Sequence, residues 1–344
     1  MRGRVVCVVV AVACGSRTGL IDGSGADAGD AREDDGVQSV ESGADGAGCT
    51  SGLVTLASGQ SYPDAIALHG TNVYWTNNSG PDAVGEVSVC GGSPIVLAEE
   101  DGAFALAVGA IGVYWTVGTA VLETPLGGGM TTTFASGQTA STRIALEGTR
   151  AYWLNFSAAF AGSLVKAPLG GGTPTTLLTG LDEQLGIAVD ATSVYWTSYN
   201  PGAVMKVGLD GGTPVTLASG DIGENQLAVD ATSVYWTNSY AGAVVKVGRD
   251  GGTPVTLASG PGALGIAVDE ANVYWTNDGI CPEDGGPCTG AILKVPLGGG
   301  APTTLASHEY SPAGIAVDAT SVYWVNRSGP GGTANGSVRK LTPK

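Results

Sequence analysis

The sequence predicts an all-β protein, a seven-bladed β-propeller of four-stranded blades in which an N-terminal strand completes the last blade. Three observations point there. All seven tryptophans, Trp75, Trp115, Trp153, Trp196, Trp236, Trp275 and Trp324, follow a tyrosine. The dyads are separated by 40, 38, 43, 40, 39 and 49 residues, a period that fits propeller blades once the intervening segments are read as strands. Glycine supplies 57 of the 344 residues while Phe is scarce, which suits short strands joined by tight turns better than helices.

Along the chain, residues 1–13 come first. Arg2 and Arg4 precede an apolar run from Val5 to Ala13, and Cys14 follows small Ala13. This is the layout of an export signal, too short to span a bilayer. Ala11-Val12-Ala13-Cys14-Gly15 resembles a bacterial lipobox, with Ala11 where Leu is usual. The resemblance implies cleavage before Cys14, its acylation, and anchoring at the bacterial envelope, with the outer membrane as the expected location; a plain secretory signal is the alternative. Residues 14–48 carry eight acids, two arginines and almost no large apolar groups. Such a segment cannot bury enough surface to offset its ordering entropy, so it is expected to be a disordered acidic tether.

Residues 49–344 hold the repeat, clearest from Ile187 to Gly220. Ile187 to Val189 is the inner strand. Its small Ala188 recurs as Ala67, Ala107, Ala145, Ala228, Ala267 and Ala316, as crowding at the propeller axis requires. After a turn, Val194 to Thr197 forms the second strand, and period-2 alternation sends Tyr195 and Trp196 to opposite faces, where large rings fill the wedges between blades. The third strand, Ala203 to Leu209, places Lys206 outward, as its sister copies place Lys166, Lys246 and Lys294. Asp210-Gly211-Gly212 is a tight-hairpin signal, and Pro214 opens an outer strand, where a missing amide proton costs little. The last copy ends in a third strand within Ser337 to Lys344. Its missing fourth strand is found in Leu53 to Gly59 (LVTLASG), which interlocks the ends and removes an exposed edge.

The order IAVD, VYWT, GAVVKV, DGG, VTLASG resembles the YWTD repeats of low-density-lipoprotein-receptor-type propellers over roughly residues 50–344. The resemblance implies the fold alone. The fourth motif residue is Asn77, Val117, Asn155, Ser198, Asn238, Asn277 or Asn326 instead of Asp, and seven dyads stand where that family usually has six blades.

Of the remaining cysteines, Cys281 and Cys288 bracket a loop and are expected to form a disulfide in an exported protein. Cys49 precedes the closing strand and Cys90 sits at a hairpin of the neighbouring blade. A Cys49–Cys90 bridge would lock the N-terminal strand, provided the two Cα atoms lie within about 7 Å.

The net charge of −16 argues against nucleic acid as a partner, which needs a Lys/Arg surface. The repeat is monotonous except on the face formed by the loops after the second and fourth strands. There lie Tyr62, Tyr199, Tyr240, Tyr310, Phe156 and Phe160, together with thirteen of the domain's acids, among them Asp182, Glu183, Asp221, Glu224 and Glu309, opposed by Arg143 and Arg327. This acidic, aromatic-dotted face is the candidate binding surface for a protein, peptide or glycan, and a monomeric, non-enzymatic binding or scaffold module is the first reading. The second is a metal-dependent lactonase- or lyase-like enzyme with its site at the channel mouth, for which Asp64, Glu224 and Asn225 are the candidates. Of the only two histidines, His69 takes the turn position of Asp190 and His308 sits in a loop without an evident partner, so a histidine base is poorly supported. No catalytic residue and no cofactor is assigned. A structural calcium remains open on oxygen-ligand chemistry, without an EF-hand or nonapeptide motif. Asp190, Asp230, Asp269 and Asp318 recur at one turn and are expected to cap it.

Overall fold

The computed structural model describes residues 49–156, 162–182, 184–199, 202–220, 226–260, 262–279, 288–329 and 335–344. The signal, Cys14 and the tether lie outside the described residues. Among the described residues the first element is β1 (Gly52–Gln60). Blade 1 is then β2 (Pro63–His69), β3 (Asn72–Asn77), β4 (Asp82–Ser88) and β5 (Ile95–Glu99), and blade 2 is β6 (Ala103–Val108), β7 (Gly112–Val117), β8 (Ala120–Pro125) and β9 (Thr132–Ala135). Blade 3 is β10 (Ser141–Glu147), β11 (Arg150–Asn155), β12 (Gly162–Pro168) and β13 (Thr175–Leu181). Blade 4 follows as β14 (Gln184–Val189), β15 (Ser193–Ser198), β16 (Ala203–Gly208) and β17 (Val215–Ser219), and blade 5 as β18 (Leu227–Val229), β19 (Ser233–Asn238), β20 (Ala243–Gly248) and β21 (Val255–Ser259). Blade 6 is β22 (Ala263–Val268), β23 (Asn272–Asn277), β24 (Gly290–Pro296) and β25 (Thr303–Glu309). Blade 7 has β26 (Pro312–Val317), β27 (Val322–Asn326) and β28 (Gly336–Thr342), and β1 is its outer strand, giving the order β1-β28-β27-β26. All seven sheets are four-stranded and antiparallel, so the expected seven-bladed propeller and its interlock are present. β1 runs against β28 from Gly52 opposite Thr342 to Gln60 opposite Gly336.

The dyads pack as alternation requires. Tyr195 of blade 4 shares a core cluster with Trp236 of blade 5, Tyr235 of blade 5 with Trp275 of blade 6, and Tyr323 of blade 7 with Trp75 of blade 1. Each tyrosine therefore faces the next blade and each tryptophan the previous one. The last of these pairs closes the ring.

Polar groups reinforce the same interfaces. The Thr that follows a dyad takes a backbone N–H from its own inner strand and donates its hydroxyl to a carbonyl of the next. Thr76 accepts from the Ala65 amide at 3.1 Å and donates to the Phe104 carbonyl at 3.1 Å. Thr276 repeats this with Gly265 at 2.8 Å and Ala313 at 2.7 Å. Three of the four lysines expected to point outward, Lys166, Lys206 and Lys246, reach toward the next blade instead, and Lys340 does the same. Lys166 reaches the Leu209 carbonyl at 3.1 Å, Lys206 that of Arg249 at 2.6 Å, Lys246 that of Leu297 at 2.5 Å, and Lys340 that of Val89 at 2.9 Å. Each acceptor belongs to the next blade, because a long apolar stem laid along the wedge carries its tip to a strand-end carbonyl there, and Lys340 is left 4% exposed.

Cys49 is disulfide-bonded to Cys90 with the Cα atoms 4.4 Å apart, tying the start of β1 to the β4–β5 hairpin. Cys288 is also disulfide-bonded; Cys281, its expected partner, lies outside the described residues.

Candidate functional site

On the turn face, opposite the irregular loops, the repeated aspartates cap their turns. The Asp190 carboxylate accepts from the backbone amides of Thr192 and Ser193 at 2.7 and 2.9 Å and from the Tyr195 hydroxyl at 2.8 Å. Asp230, Asp269 and Asp318 do the same with Tyr235, Tyr274 and Tyr323. Burial alone would raise these carboxyls, but hydrogen bonds outweigh it and hold all four below their ordinary value, from Thr, Tyr and backbone donors at Asp190, Asp230 and Asp318, and from Lys344 first, then backbone amides and Tyr274, at Asp269. The tyrosines move the opposite way, raised first by burial and, for Tyr235, Tyr274 and Tyr323, next by the carboxylate they donate to. Blade 2 lacks the aspartate, with Gly109 in its place, and carries Glu123 where the lysine should stand. Tyr114 donates to Glu123 at 2.7 Å instead.

On the loop face, the left-handed residues Tyr62, Ala140 and Ser311 (φ 59°, 43° and 50°) occupy one repeat position. Their carbonyls accept from the amides of Asn78, Phe156 and Arg327. Two residues earlier, Gln60 accepts from the Trp75 indole at 2.7 Å and from Asn77 at 3.1 Å. Gln138 serves Trp153 and Asn155, both at 2.9 Å, and Glu309 serves Trp324 at 2.9 Å and Asn326 at 2.7 Å. Glu309 is 1% exposed and also paired with Arg339, so it contributes nothing to the surface where the sequence placed it. The asparagine that replaces the fourth motif residue thereby acquires a role, since its amide shares an acceptor with the dyad's indole.

The two loop-face arginines are likewise internal. Arg143 donates from Nε to the Leu185 carbonyl at 2.7 Å and from a terminal nitrogen to the Thr142 carbonyl at 2.8 Å. Arg327 is ion-paired with Asp64, donating from Nε at 2.7 Å across the junction of blades 7 and 1, and both side chains are buried. Burial would lower this guanidinium, but the Asp64 charge and hydrogen bond outweigh it and raise it. Asp64, a candidate for channel-mouth chemistry, is committed to holding the ring closed. Glu224 and Asn225, the other two, lie outside the described residues, as do Phe160, Glu183 and Asp221. Among the described residues no three His, Cys, Asp or Glu side chains converge as a metal site would need.

What remains accessible is aromatic. Tyr62, Tyr199 and Tyr240 are 44%, 45% and 62% exposed, while Tyr310, Phe156 and Asp182 are half-buried. Tyr199 and Tyr240 extend from corresponding loops of blades 4 and 5, with ring centroids 6.4 Å apart and planes tilted by 54°. The Ser198 hydroxyl donates to the Asp182 carbonyl at 2.9 Å, linking that acid's loop to the root of Tyr199. The structure thus brings Tyr199 and Tyr240 together and leaves Tyr62 on blade 1.

No family model matches the chain, and no curated protein does. Among solved structures it is similar to an oligogalacturonate lyase from Vibrio parahaemolyticus, at TM-score 0.60 and 8% identity over 85% of this chain and 98% of that one. It is also similar to the computationally designed Ika8 protein, at TM-score 0.58 and 16% identity over 84% and 99%, and to a chain of a nidogen/laminin complex, at TM-score 0.50 and 17% identity over 72% and 89%. At these identities the likeness establishes the propeller fold, shared by binding proteins and enzyme-like neighbours alike.

Proposed function

We propose that the chain is a non-enzymatic binding or scaffold module, tethered to the bacterial envelope through Cys14, whose loop face engages a partner. The observation that carries this reading is the fate of the loop-face side chains. Asp64, Arg143, Glu309 and Arg327 are buried in inter-blade or intra-blade bonds, whereas Tyr62, Tyr199 and Tyr240 stay on the surface. Exposed tyrosines on a rigid scaffold offer large contact area at small entropic cost. The acidic tether holds this face at a distance from the membrane. The reading is tested by immobilising the mature chain and measuring retention of envelope proteins and glycans. Replacing Tyr62, Tyr199 and Tyr240 together by Ala is expected to abolish specific retention with an unchanged melting curve, and undiminished retention would count against a loop-face site.

A further inference from the structure

Resting on that reading, we infer that the Tyr199–Tyr240 pair with Asp182 is a docking patch for an arginine- or lysine-bearing segment of a partner polypeptide. Ring geometry and charge segregation support it independently. Two tilted, exposed phenol rings 6.4 Å apart present π-faces, and their quadrupoles attract a cation placed over them. The loop of Asp182 is tied to the root of Tyr199 by the Ser198 hydroxyl, which donates to the Asp182 backbone carbonyl, and it brings a half-buried acid into the same loop cluster.

The charge argument concerns the whole face. Beyond Arg143 and Arg327, which are 2% and 4% exposed, the domain's cations are Arg150, Arg249, Lys344 and the third-strand group. Arg150 and Arg249 lie at the turn face on Asp210 and Asp190, and Lys344 lies there on Asp269. Lys166, Lys206, Lys246 and Lys340 are drawn to strand-end carbonyls of neighbouring blades, and Lys294 holds the same register position on β24, opposite Tyr274. Arg339 is held by Glu309. Among the described residues, the loop face therefore presents carboxylates with no exposed cation to offset them. Such a face repels anionic ligands and steers cationic ones. A neutral glycan could stack on the rings but would draw nothing from the charge.

The experiment measures fluorescence anisotropy of three labelled probes on the mature chain: an arginine-containing peptide, the same peptide with citrulline for arginine, and a neutral oligosaccharide. The arginine peptide is expected to bind, to weaken steeply with added salt, and to outbind the citrulline peptide. Tyr199→Ala with Tyr240→Ala should weaken it at least about fivefold, as two exposed cation–π contacts imply. The Tyr→Phe pair should retain binding, and Asp182→Asn should weaken it. Equal binding of arginine and citrulline peptides, or arginine binding indifferent to the Ala pair, overturns the proposal. If only the oligosaccharide binds, and the Ala pair abolishes that, the cationic assignment falls while the binding-module reading stands. If no probe shows tyrosine-dependent binding, the patch assignment falls, and the retention assay decides the broader reading separately.

Discussion

Arg143 shows how one residue can replace a motif. At the position after each dyad, Thr76, Thr237 and Thr276 bridge to the next blade, but blade 3 carries Leu154 there, which can donate nothing. The inner strand compensates with Arg143 where blades 1 and 2 have Ala65 and Ala105, and its guanidinium delivers the missing donor to the Leu185 carbonyl. A charge-assisted bond of this kind contributes about 1.5–3 kcal/mol. Arg143→Ala is therefore expected to destabilise by about that amount in urea unfolding. Leu154→Thr alone should destabilise through lost apolar burial. Together the two substitutions rebuild the Ala/Thr arrangement of blades 1 and 2, so their combined cost should fall below the sum of the singles by at least about 1 kcal/mol. Strict additivity would show that Arg143 does not stand in for the threonine. The sequence carried a signal for this, a single arginine in the column of Ala, Gly and Gln at that inner-strand position, in one of the two blades that break the Thr column, the other being blade 7 with Val325. It went unread because the two positions are eleven residues apart and their connection depends on strand register. The Gln60, Gln138 and Glu309 acceptors were hidden for another reason: each stands 15 residues before its tryptophan, but Leu181 and Gly260 fill the same column in other blades, so that no residue type marks it.

At the scale of elements, β1 pairs only with β28, as each outer strand pairs with one neighbour, but unlike the others it arrives from the far end of the chain. Its role was legible because LVTLASG repeats the outer-strand sequence. The distance that decides whether Cys49 and Cys90 can bond depends on how far neighbouring blades splay at their outer edges, which spacing in sequence cannot supply. The bond joins residues 41 apart, and a cross-link closing a loop of that size stabilises by about 3–4 kcal/mol in the chain-entropy model. Replacing both cysteines by Ser is expected to lower the melting temperature. It should also raise amide exchange at Leu53 to Leu56 before that of β15 or β19, because opening β1 exposes a single edge and leaves other blades paired. Uniform acceleration across all blades would show instead that the ring opens only as a whole.

For the whole molecule, four blades carry the same capped aspartate bonded to the tyrosine of its own dyad, so the effects of these recurrent ionisable groups add. Asp190, Asp230, Asp269 and Asp318 have folded values below the ordinary one of about 3.9. The stability they contribute is fully present above that value and is lost as pH falls through the lower, folded one. Tyr114, Tyr195, Tyr235, Tyr274 and Tyr323 are raised above about 10. Their contribution is complete below the unfolded value and disappears as pH rises toward the folded one. The melting temperature should therefore be nearly flat between about pH 5 and about pH 9 and fall on both sides. Asp230→Asn and Asp318→Asn together remove two of the groups behind the acid limb, so the variant should be less stable than the parent at neutral pH and converge on it near about pH 2. A variant that loses the same stability at every pH would place the aspartates' contribution in turn shape alone. Convergence would instead assign it to the two carboxylates, Asp230 and Asp318, whose charged form is built into the closed ring.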